Sequence, residues 1–70
     1  MIYEKTIDIL NELHKMFREN EVDMMKNNQI VIFVIRTEKT IKKDFFEKFT
    51  PKEYSVSAEN DELIIKLRYK

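Results

Sequence analysis

The residue types able to do chemistry are few in this chain: one histidine, no cysteine and no glycine among 70 residues. A histidine acting as general base needs a partner and a cleft. His14 has neither in the sequence around it. On a helix it falls beside Leu10 and Phe17, at the border of an apolar stripe, where it reads as a solvent-edge side chain. With one imidazole and no thiol, two-histidine and thiolate metal sites are excluded. Glu4, Asp8 and Glu12 recur every four residues and so form an acidic row along one helix face. That row is a solvated face or a docking stripe for a basic partner. No loop shows the alternating acidic spacing of a calcium site. The absence of glycine excludes glycine-rich phosphate loops. The expectation is a protein that is not an enzyme, with no cofactor, no metal and no small-molecule substrate.

The cations offer a second kind of chemistry. Lys39, Lys42, Lys43 and Lys48 cluster in one segment, and Lys66, Arg68 and Lys70 alternate along the last strand. Nucleic-acid contact through Lys42, Lys43, Lys66 and Arg68 is therefore the alternative functional reading. It lacks the exposed aromatics on which bases stack, because Phe33, Tyr54 and Tyr69 take the parity of core residues. Thirteen Lys and Arg balance thirteen Asp and Glu, which leaves only weak, salt-sensitive phosphate contact.

The elements that must position these residues are governed by Gln29–Arg36. It holds six consecutive apolar residues, Ile30 to Ile35, mostly β-branched. This is a strand with both faces out of water. Residues 53–59 and 62–69 form a hairpin around Asn60-Asp61, a pair that accepts positive φ. Its register sets Ala58 against Leu63, Val56 against Ile65 and Tyr54 against Leu67 on one face. Ser57–Ile64, Ser55–Lys66 and Glu53–Arg68 lie on the other. A short strand at 22–26 pairs with 29–36 through an Asn27-Asn28 turn, with Met25 opposite Ile30 and Val22 opposite Phe33.

Two helices complete the chain. Residues 2–19 carry Ile2, Thr6, Ile9, Leu10, Leu13, Met16 and Phe17 at helical spacing, and Asn20 supplies a left-handed stop. Residues 38–49 carry Ile41, Phe45 and Phe49 with Phe46 alongside, capped by Thr37 or Thr40. Pro51 ends this helix and drives Thr50 extended. The order α-β-β-α-β-β implies an α+β two-layer sandwich: a mainly antiparallel four-stranded sheet, with 29–36 and 62–69 central and the polar strands at the edges.

Composition bounds the rest. Seventy residues make a single domain of thin stability, about 3–5 kcal/mol, with no disulfide to staple it. No apolar run is long enough to span a bilayer. Residues 1–5 lack the basic start and apolar run of a signal peptide, so the expected location is cytoplasmic, with no membrane partner. If both helices cover one sheet face, the other displays Met25, Ile30, Ile32, Val34 and Ile64, rimmed by Arg36, Glu53, Lys66 and Arg68. An apolar patch with a polar rim is the anatomy of a protein interface. The sequence thus points to a small non-catalytic protein-interaction module, such as a regulator, inhibitor or accessory subunit. It would act through that face or an edge strand, with a second copy, as a homodimer, the favoured partner.

Overall fold

The computed structural model describes residues 2–69. In chain order they form α1 (Ile2–His14), a 3-10 turn (Glu19–Glu21), β1 (Val22–Lys26), β2 (Ile30–Arg36), a 3-10 segment (Lys43–Phe49), β3 (Glu53–Glu59) and β4 (Glu62–Arg68). The strands make one antiparallel sheet in the order β1-β2-β4-β3. The α+β expectation therefore holds, with the two most apolar strands in the centre and the polar ones at the edges.

The β3–β4 hairpin has the expected register, with Val56 against Ile65 and Ser57 against Ile64. Asn60 and Asp61 adopt φ 49° and 61°. Two consecutive left-handed residues match the right-handed twist of the flanking strands. The β1–β2 hairpin differs from expectation. Met25 faces Ile32 and Val22 faces Ile35, so the turn sits one residue further along than Asn27-Asn28. The cause is the Asn27 side chain. Its Oδ1 accepts the backbone N–H groups of Gln29 and Ile30 at 2.8 and 2.9 Å, while its own N–H donates to the Ile30 carbonyl. The side chain stands in for a backbone carbonyl, so no residue of this turn needs positive φ. The partner shift is two residues, which preserves the facing of every side chain.

Both helical expectations are corrected. α1 stops at His14 rather than at residue 19. Lys15 and Met16 donate to the carbonyls of Glu12 and Leu13, a tightened last turn. Asn20 is not a left-handed stop; it lies within the 3-10 turn. The α-helix expected over 38–49 is replaced by irregular backbone and a 3-10 segment. The Lys39 N–H donates to Thr37 Oγ1 at 3.1 Å, a local bond that competes with helix. Thr and Ile follow, then a run of aromatics, all weak helix formers. Neither threonine caps the segment: Lys42 precedes it, with no side-chain cap bond. Phe46, not the Ile41–Phe45–Phe49 stripe, is the fully buried anchor.

Thr50 is left-handed, with φ 53° and ψ 48°, rather than extended. That is unfavourable for a β-branched residue and more so before proline. Lys5 Nζ holds it in place by bonding both Thr50 Oγ1 and the Phe49 carbonyl. The Tyr69 hydroxyl donates to the same carbonyl at 3.1 Å.

The core lies on one side of the sheet. Ile9, Leu13 and Phe17 join Phe46 above Val31, Phe33 and Ile35 of β2 and Leu63, Ile65 and Leu67 of β4. Burying these side chains is the main stabilising term, and a chain without cysteine has no disulfide to add to it. α1 and the 3-10 segment thus cover the same face, which leaves the other face of the sheet without a second layer.

Candidate protein interface on the open sheet face

Strand alternation brings the expected patch together. Across the sheet, Met25, Ile32, Lys66 and Ser55 form one row, and Asp23, Val34, Ile64 and Ser57 form the next. Ile30, Arg68 and Glu53 close one end; Arg36, Glu62 and Glu59 close the other. Ile30, Ile32, Val34 and Ile64 are partly exposed, whereas Val31, Phe33, Ile35 and Ile65, one residue along, are at 0%. Met25 is 60% exposed. These five residues form a continuous aliphatic surface centred on β2.

Charged side chains frame it. Arg68 donates to Glu53 through Nε at 3.2 Å and ion-pairs with it through Nη2 at 2.8 Å. These bonds, and the charge itself, hold the Glu53 carboxyl below its ordinary range and raise the Arg68 guanidinium. At the other end Arg36 donates to the Asn20 carbonyl at 2.6 Å. Two shallow depressions flank Lys66. One, of about 220 Å³, is lined by Met25, Lys26, Asn27, Ile30, Ile32 and Lys66. The other, of about 290 Å³, lies over Ile30, Ser55, Lys66 and the Glu53–Arg68 pair. Such a surface is contoured enough to seat side chains and too open to enclose a small ligand.

The four cations of the nucleic-acid reading do not share one surface. Lys66 and Arg68 lie on the open face, whereas Lys42 immediately precedes the 3-10 segment, on the opposite side of the sheet. The backbone of Lys43 opens that segment. Phe33 is at 0% exposure, and Tyr54 and Tyr69 pack against the core. The Tyr54 hydroxyl donates to Glu47 at 2.9 Å, a bond that raises its pKa. Among the described residues of the sheet, no aromatic side chain takes the parity of the open face.

His14 closes α1, half-buried, and Glu4 and Asp8 are exposed on the far side of the helix. Among the described residues no group of three acidic or histidine side chains could hold a metal ion, and no helix is long and apolar enough to cross a membrane.

One feature was not anticipated. A groove of about 490 Å³ runs between the end of α1 and residues 39–45, floored by Met16, Phe17, Ile41 and Phe45 and rimmed by Lys39, Lys42 and Asp44. It exists because 38–42 is not helical. The sequence signal was Met16, an apolar residue two residues past the last helical position and 42% exposed.

Comparison of the chain with protein-family models, curated proteins and solved structures finds no match.

Proposed function

We propose that this chain is a non-catalytic protein-interaction module whose binding surface is the open sheet face. The observation that carries this reading is the alternation of exposure along β2: both parities are apolar, yet only one is fully buried. A strand that needed only to face water would carry polar residues at positions 30, 32 and 34. Fully burying one such side chain from water is worth roughly 1.5–3 kcal/mol; the four are already partly covered in the monomer, and binding gains the remaining fraction of each against the loss of rigid-body freedom. The polar rim supplies register and excludes wrong partners.

Nucleic-acid binding stands second. On this face it rests on Lys66 and Arg68, and Arg68 already pairs with Glu53. Such contact would be weak and would fall steeply with salt.

The test uses wild-type, Ile32→Lys and Met16→Lys proteins as baits in a lysate, compared by quantitative mass spectrometry after circular dichroism has shown that all three fold. Proteins retained by wild type and Met16→Lys but lost from Ile32→Lys support the reading. Equal retention by Ile32→Lys overturns it.

A further inference from the structure

We infer that the occupant of the open face is a second copy of this chain, stacked sheet-on-sheet with its strands antiparallel across a two-fold axis. This deepens the proposed function and rests on it.

The charges of the face are arranged by end. The half containing the Arg36–Glu62–Glu59 and Asp23–Val34–Ile64–Ser57 rows carries one basic and three acidic side chains. The half containing the Met25–Ile32–Lys66–Ser55 and Ile30–Arg68–Glu53 rows carries two basic and one acidic. A surface with one acidic and one basic end is complementary to itself only when one copy is turned end for end. The aliphatic column of β2 makes the same demand. A two-fold axis across the strands, between the two middle rows, sets Ile32 of each copy over Val34 of the other. It also sets Arg68 of each copy over Glu62 of the other, with Lys66 over Ile64, and Glu53, which Arg68 neutralises, over Glu59. An axis along the strands instead stacks the acidic end of one copy on the acidic end of the other, and basic end on basic end. Isologous contact satisfies both demands with one operation, and aligned sheet packing needs only the usual offset of about 30°.

The area sets the strength. Four strands of about seven residues present a footprint of about 400 Å² per copy. The total is below that of a standard stable interface. An interface of that size fits a reversible, concentration-dependent association rather than an obligate dimer.

Sedimentation equilibrium over a concentration series tests it with wild type, Ile32→Lys, Glu62→Lys and Arg68→Glu. All three substituted positions are on the open face, so the monomer fold is retained, as circular dichroism will verify. Wild type is expected to shift from monomer to dimer, and Ile32→Lys to remain monomeric. Glu62→Lys and Arg68→Glu should each weaken the dimer at least about tenfold, because a symmetric contact counts each reversed charge twice. Their equimolar mixture should regain most of the wild-type affinity, since the heterodimer restores opposite charges. A wild-type monomer at every concentration overturns the inference, and so does a dimer indifferent to Ile32→Lys or a mixture no stronger than its components. If the wild type is monomeric while Ile32→Lys still loses lysate partners, the surface binds another protein. The proposed function then stands without the homodimer.

Discussion

Among the described side chains of the 3-10 segment Phe46 is the fully buried one, and its removal is the sharpest test of how the second layer is anchored. Truncating a buried phenylalanine costs about 3–5 kcal/mol, from lost transfer energy and the cavity left behind. The whole domain has a margin of about 3–5 kcal/mol, so Phe46→Ala should be largely unfolded without denaturant. Phe46→Leu, which keeps most of the volume, should cost roughly 1–1.5 kcal/mol and remain measurable by urea titration followed by circular dichroism. Phe45 is the internal control. It packs edge-on to Phe46 at 5.0 Å, and Lys48 Nζ lies 4.6 Å from its ring centroid, but it is only half-buried. Phe45→Leu should cost less than Phe46→Leu at an unchanged slope with denaturant. If Phe45→Leu costs as much or more, the segment is turned about its axis relative to the structure described, and the core assignment of residues 43–49 is wrong.

Three further outcomes follow from particular contacts. Asn27→Ala removes the acceptor of two backbone N–H groups and should destabilise by roughly 1 kcal/mol in urea titration; an unchanged midpoint would show that the turn does not depend on that side chain. Asp61→Gly relieves a left-handed residue at φ 61° and should stabilise by about 0.5–1 kcal/mol, read as a raised urea midpoint, whereas a lowered one contradicts the turn geometry. The hydrogen bond to Glu47 raises the Tyr54 pKa, and burial raises that of Tyr69. Both phenols are favoured in their neutral form by folding, so their stabilisation is complete below the ordinary tyrosine pKa of about 10 and is lost as pH rises through their folded values. Urea midpoints should therefore fall in strongly alkaline solution, and Tyr54→Phe should reduce that dependence.

The sequence exposed the sheet more readily than its cover. Ser-Val-Ser-Ala opposite Leu-Ile-Ile-Lys has one register that keeps both faces consistent, so β3 and β4 were legible residue by residue. β1 and β2 were legible in facing but not in partner. A side-chain oxygen of Asn27 replaced a backbone acceptor, which no hydrophobic pattern reveals. The four-residue spacing of Ile41, Phe45 and Phe49 imitated a helix, while the one deeply buried residue was their neighbour Phe46. The open face was legible because β2 is aliphatic on both parities and each covering element has a single stripe. The groove beside Met16 was not, since it depends on the path of residues 38–42, where short-range side-chain bonds outcompete helix.

The central claim is that one face of the sheet is bare in the monomer and becomes covered on association. Methyl-resolved nuclear magnetic resonance with a soluble paramagnetic agent measures this directly, isoleucine by isoleucine. At high dilution the Ile30, Ile32 and Ile64 methyls should broaden strongly while those of Ile9, Ile35 and Ile65 stay sharp. As protein concentration rises, protection should appear at Ile32 and Ile64. Broadening of Ile32 and Ile64 that persists undiminished at every concentration would contradict association through this face, and protection of all six residues at high dilution would contradict the open face itself.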